Sequence, residues 1–187
     1  TLPIYQYLGY KTGRLKHFYL LNPSVRDFRI AAIKDEKVYA SEQGYSNCRL
    51  CRIDSFEELA GCVDLGKRDD MHPFKDQSYI QKRYFKHPVY RYDTWGIKHA
   101  EKVSSLLITR RVEMNGSAAL RIVDFIGDEK HLGSIGTELI KIMNDKACEY
   151  ADFYQYGINE DLLASAGFVV KDENDKNIIP NYFEPFT

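Results

Sequence analysis

The sequence predicts an α/β fold, a mixed and mostly antiparallel sheet with helices on both faces. Three observations lead there. Residues 89–126 hold short apolar runs separated by turn signals, and Asn115-Gly116 is the strongest hairpin signal in the chain, so this stretch reads as three consecutive strands. Ile135, Leu139, Ile142 or Met143, and Ala147 recur at helical spacing, with Lys141, Asn144, Asp145 and Lys146 largely opposite. A strand, a short helix and another strand follow, which adds a β-α-β unit to the antiparallel part.

Taken in order, residues 1–22 read as a strand pair, with Tyr5, Tyr7 and Tyr10 before a turn at Lys11-Thr12-Gly13 and the run His17 to Leu21 after it. A lone hairpin is marginal in water, so this one must pack on something. Phe28 to Ile33 reads as a strand that Lys37-Val38-Tyr39 can join, and 41–53 as polar and irregular. Ser55 and Glu58 have capping-box spacing and start a short helix. Residues 64–75 read as a loop and Asp76 to Phe85 as a helix ended by His87-Pro88. The three strands are Val89 to Ile97, Ser104 to Glu113 and Ala118 to Ile126. After the 135–147 helix come a strand at 152–156, a helix opened by Asn159 and closed by Gly167, a strand at 168–170 and a last strand from Ile178 to Phe186.

Composition narrows the function classes. The chain has 187 residues, 44% hydrophobic and 28% charged, so it can bury a substantial core without disulfides. The 26 Lys+Arg against 27 Asp+Glu argue against a dedicated nucleic-acid binder, which carries a basic excess. No apolar run reaches the roughly 20 residues of a spanning helix, so no membrane role is expected. Four dispersed cysteines make a reducing, cytoplasmic setting the default. Cys48-Arg49-Leu50-Cys51, with Cys62 and His72, invites a zinc reading, but the spacing fits no familiar finger and no metal is expected.

The stretch that carries chemistry is His131-Leu132-Gly133-Ser134-Ile135-Gly136-Thr137, between the Ala118–Ile126 strand and the helix. A tight turn there leaves the first helix amides pointing outwards, and with the helix dipole they suit a phosphate or pyrophosphate. Gly133 and Gly136 would admit a ligand close to the backbone, and His131 adds a donor.

This order of elements, over about residues 27–187, resembles the GNAT superfamily of acyl-CoA-dependent acyltransferases. The sharpest part is 117–168, where Gly136 and Leu139 match the pyrophosphate loop and Ala166-Gly167-Phe168 resembles the exit of the fourth helix. His131 stands where the family usually has Gln or Arg, Ser134 where it has its first Gly, and Leu163 where many members have the Tyr that protonates the leaving thiolate. The resemblance implies acyl-CoA as co-substrate, held by residues Ile126, His131, Leu132, Gly133, Ser134, Ile135, Gly136 and Thr137. It also implies a domain at 23–187, with residues 1–22 either the end of a preceding GNAT-like unit in a tandem protein or a decoration of this sheet.

Acyl transfer needs a base for the acceptor and an acid for the sulfur. Asp124 and Glu113 are the candidate bases, and Tyr154 and Tyr156 the candidate acids in place of the missing Tyr. Asp124 equally suits a strand carboxylate paired with Arg110 or Arg121. Residues 82–92 interleave bases and aromatics, a pattern that stacks on sugars or nucleobases. They fall where the family builds its acceptor side, which implies an acceptor site of Tyr84, His87, Tyr90, Arg91 and Tyr92. The leading expectation is acyl transfer to an amine or hydroxyl of a small molecule, such as an amino sugar or nucleotide sugar. The alternatives are a non-catalytic ligand-binding or interaction module, and a nucleic-acid contact through 82–92.

Overall fold

The computed structural model describes residues 2–35, 48–63 and 75–180. Among these residues seven strands form one sheet in the order β2-β3-β4-β5-β6-β1-β7. The strands are β1 (Lys16–Leu21), β2 (Cys48–Ile53), β3 (Asp93–His99), β4 (Lys102–Met114), β5 (Ser117–Gly127), β6 (Tyr150–Gln155) and β7 (Val169–Lys171). Helices α4 (Gly136–Asp145) and α5 (Glu160–Ser165) contribute to the main core on one face, where Leu139, Met143 and Leu163 meet Leu107, Leu120 and Phe153. On the other face α2 (Phe56–Cys62) and α3 (Gln77–Ile80), the latter continued by a π-turn at Gln81–Phe85, pack Leu59, Ile80 and Tyr84 against Leu106, Ile108 and Ile126. A third cluster, Tyr19, Leu21, Ala31, Ala119, Tyr150 and Ile179, lies beyond it. The predicted fold class, a mixed and mostly antiparallel sheet with helices on both faces, is the one observed, and among the described residues only β5 and β6 pair in parallel.

Several elements form where their local chemistry places them. Ser55 accepts from the Glu58 amide at 3.1 Å, while Glu58 reaches the Asp54 amide at 2.9 Å, so the capping box closes one residue early. Asn115 and Gly116 have φ of 52° and 72°, the paired left-handed conformation of a type I′ hairpin. Gly167 has φ of 88° and ends α5, its amide bonded to Ala164 O at 2.9 Å.

Other expectations are corrected. Residues 1–22 are not a strand pair, because α1 occupies Leu2–Tyr7 and only Lys16–Leu21 is extended. That strand lies in the same sheet as the others, between β6 and β7, bonded antiparallel to both. Phe28 to Ile33 is not a strand, because the amides of Arg29, Ile30 and Ala31 converge on the buried Glu149 carboxylate at 2.7–3.3 Å. Among the described residues a lone bridge from Ala32 to Ile178 is all the strand pairing this stretch has. Cys48–Ile53, read as irregular, is an edge strand, and β3 begins at Asp93 rather than Val89. The 37–39 pairing, the 64–75 loop up to residue 74 and the last strand beyond residue 180 fall outside the described residues.

One glycine sets where β5 ends. Gly127 has φ of 127°, and an added Cβ would lie 2.6 Å from Ser105 Cβ and 2.8 Å from the Ser104 carbonyl. Gly127→Ala therefore combines backbone strain with overlap. It is expected to cost about 3 kcal/mol, lowering the melting temperature by roughly 6–12 °C in a thermal unfolding scan.

Among the described residues no helix is long and apolar enough to cross a membrane. Nor is any group of three His, Cys, Asp or Glu side chains placed to hold a metal ion. Cys48 and Cys51 are three residues apart on a strand, so their side chains leave opposite faces and cannot share one ligand. Burial pushes the Cys148 thiol up to about 11 and raises Cys48 and Cys51, which keeps these cysteines as protonated packing groups at neutral pH.

Candidate active site

The sheet divides in the middle. β5 and β6 share only three residue pairs, Leu120 with Ala151, Arg121 with Asp152 and Ile122 with Phe153. Beyond them β5 stays on β4 as far as Ser105 opposite Gly127, and β6 stays on β1 as far as Lys16 opposite Gln155. The two strands therefore part at their carboxyl ends, and that is where open α/β sheets take their ligands. An irregularity marks the parting: Asp124 faces Ile108 while Ile122 faces Thr109, so Val123 is an extra residue that bends β5.

Asp124 follows the bulge directly. Its carboxylate accepts from the Tyr84 hydroxyl and from Lys75 Nζ, with the Phe125 amide at 2.8 Å. Burial, and then the Asp124 charge, push the Tyr84 phenol far above its ordinary range, so Tyr84 keeps its proton and donates it. The expected pairing with Arg110 or Arg121 does not form. Arg110 lies 4.4 Å over the Tyr90 ring, and Arg121 is held against Asp152 at 3.4 Å.

On the opposite wall Tyr154 stacks on His17, ring centroids 4.0 Å apart and nearly parallel. His17 Nε2 lies 3.4 Å from the same Asp152 oxygen that faces Arg121. Sequence reasoning missed Asp152 and His17. Their register, Tyr19 opposite Asp152 and His17 opposite Tyr154, depends on a strand from the other end of the chain.

The remaining candidates are scattered. Glu113 is 74% exposed, pairs with Arg111, and lies five residues along β4 from the partner of Asp124, about 17 Å away. Tyr156 is exposed, with its ring against Gly13. Ile126 near the end of β5, and Leu132 and Ile135 in the turn before α4, are core residues whose side chains face the interior. Gly133 is closely packed against α5, where a Cβ would meet Ser165 Cβ at 3.2 Å and Leu162 O at 3.3 Å. Leu163 is fully buried in the same core, so no acid stands at that position.

Ser134 and Thr137 are exposed, and Gly136 is buried at the first turn of α4. The cap residue, Ile135, brings no side-chain oxygen to that turn. The nearby carboxylates are engaged: Asp128 caps the Lys130 amide, Glu129 takes the Asn159 amide and Glu138 takes Lys141. His131 stacks on His99 at 4.3 Å, and burial, then the His99 and Lys130 charges, hold it below the usual imidazole range.

Residues 84–92 do come together. Tyr84, His87, Tyr90 and Tyr92 make mutual ring contacts at 5.0–6.3 Å. His87 Nδ1 accepts the Val89 and Tyr90 amides at 3.2 and 2.9 Å, which shapes the turn and leaves Nε2 as its donor. A cavity of about 120 Å³ opens among Arg52, Asp54, Tyr84, Tyr90, Arg91 and Tyr92. Tyr84 thus lines the cavity and reaches Asp124 from it.

No protein-family model and no curated protein matches the chain. Solved structures do. A GCN5-related N-acetyltransferase of Anabaena variabilis aligns at TM-score 0.51 and 12% identity over 95% of this chain. An Enterococcus faecalis protein of unknown function, described as a probable N-acyltransferase, aligns at 0.51 and 12% over 96%. A functionally unknown conserved protein of Staphylococcus epidermidis aligns at 0.53 and 13% over 91%. The chain spans 42%, 41% and 62% of those three proteins respectively. At such identities the likeness is one of fold, and the fold is that of the GCN5-related N-acetyltransferases.

Proposed function

We propose that the domain transfers an acyl group, acetyl in the simplest case, from acyl-CoA to an amine or hydroxyl of a small molecule. The observation that carries this is the parting of β5 from β6, with the partly buried Asp124 carboxylate at its root and the start of α4 downstream of β5. Asp124 takes the acceptor's proton, Tyr84 positions Asp124, and Tyr154 on the opposite wall protonates the departing sulfur. The 84–92 cavity receives the acceptor, and its rings and arginines suit an amino sugar or nucleotide sugar. The thioester supplies the acyl group, and the first turn of α4, beside the exposed Thr137, takes its pyrophosphate.

The test is calorimetric binding of CoA and acetyl-CoA, with Thr137→Asp as the control. Asp in the first turn favours the helix, so the variant stays folded, while its charge repels a pyrophosphate. Binding to the wild type is expected to weaken at least about 10-fold in Thr137→Asp, which corresponds to about 1.4 kcal/mol. No binding to the folded wild type at millimolar ligand would refute the acyl-CoA reading.

A second reading is a non-catalytic module of the same fold. It is favoured by Leu163 standing in the core and by Lys75 occupying Asp124. CoA binding without turnover against any amine would support it.

A further inference from the structure

We propose that Lys75 is an acylation site of the domain itself. This rests on the acyl-transfer reading above and deepens it. Lys75 Nζ is held on the Asp124 carboxylate, where the base of an acyl transfer must meet the acceptor nitrogen. It is a primary amine, the chemical class of an acceptor. Among the described residues it is the only lysine ion-paired to Asp124. Both side chains are largely withdrawn from water, at 16% and 12% exposure, so the contact belongs to the cleft and not to the outer surface. When no acceptor fills the site, the amine nearest the base is the protein's own.

The step balances without a further reactant. The neutral ε-amine attacks the thioester carbonyl carbon, a C–N bond forms and the C–S bond breaks. Of the two protons that the ε-ammonium loses in all, one leaves through Asp124 to water before the attack, and the other passes from the nitrogen to the departing thiolate as the C–S bond breaks. The product amide carries no charge, so acylation dissolves the ion pair that occupies Asp124.

Uncatalysed acylation by a thioester follows exposure, which gives an internal control. Lys130 and Lys141 are 62% and 65% exposed. The wild-type protein is incubated with acetyl-CoA carrying a deuterated acetyl group and mapped by peptide mass spectrometry over hours. Lys75 is expected to gain label at least about 10-fold faster than Lys130 or Lys141, despite its burial. Asp124→Asn is expected to slow Lys75 about 100-fold and leave the other two unchanged. If that variant does not fold, the wild-type ratio decides alone. Labelling of Lys75 no faster than the exposed lysines, in protein that binds acetyl-CoA calorimetrically, overturns the modification and leaves acyl transfer standing. Failure to bind acetyl-CoA at all overturns both.

Discussion

Asp152→Ala is expected to destabilise the domain by about 3–5 kcal/mol. Asp152 and Arg121 are 1% and 0% exposed, and their closest charged atoms are 3.4 Å apart. Removing the carboxylate takes the Asp152 charge away from a buried guanidinium, and the desolvation already incurred is less well offset. His17 lies at the same distance from the same oxygen, so it loses its carboxylate partner as well. With a urea slope of about 2 kcal/mol/M, the midpoint should fall by roughly 1.5–2.5 M. The complementary variant removes both charges. Arg121→Met with Asp152→Leu should recover most of the loss, because a well-packed apolar pair is often as stable as a buried ion pair. If the single variant unfolded at the wild-type midpoint, the pair would not hold the two half-sheets together at their three-residue junction.

That junction shows what was legible in the sequence. Signals confined to a few residues were readable, such as Asn115-Gly116, the Ser55–Glu58 box and Gly167. Signals that depend on partners far along the chain were not. The run at 28–33 is apolar enough for a strand, but its amides go to Glu149, more than a hundred residues away. Cys48–Ile53 looked polar because Arg49 and Arg52 stand on the edge strand, while Cys48 and Ile53 are buried. β1 could be read as extended, yet nothing local says that it enters between β6 and β7. The site follows the same rule. Asp124 could be singled out as a strand carboxylate, but its partners Lys75 and Tyr84 lie 49 and 40 residues before it on another layer. The glycine at 133 is legible as part of a motif, but its close packing against α5 is not, because Leu162 and Ser165 belong to a later element.

The largest kinetic effect is expected from Asp124→Asn. A positioned base contributes about 10²–10⁴ in rate, or about 3–5 kcal/mol of barrier, and an amide cannot accept the proton. The natural assay is thiol release from acetyl-CoA with glucosamine as the amine. The loss should appear in kcat, with the calorimetric affinity for CoA unchanged, because in the proposed arrangement Asp124 serves the acceptor and the first turn of α4 the pyrophosphate of the donor. Lys75 loses its counter-charge in the variant, but its flexible stem can carry the ammonium to water. Tyr84→Phe tests the supporting contact. It keeps the ring that lines the cavity and removes only the hydroxyl on Asp124, so kcat should fall about 10-fold while KM for the amine stays put. The order of the two effects is the discriminating result. A base acting through its own oxygen must lose more than the residue that positions it. If Tyr84→Phe were the more damaging change, the proton would be leaving through Tyr84, and Asp124 would be the positioning group.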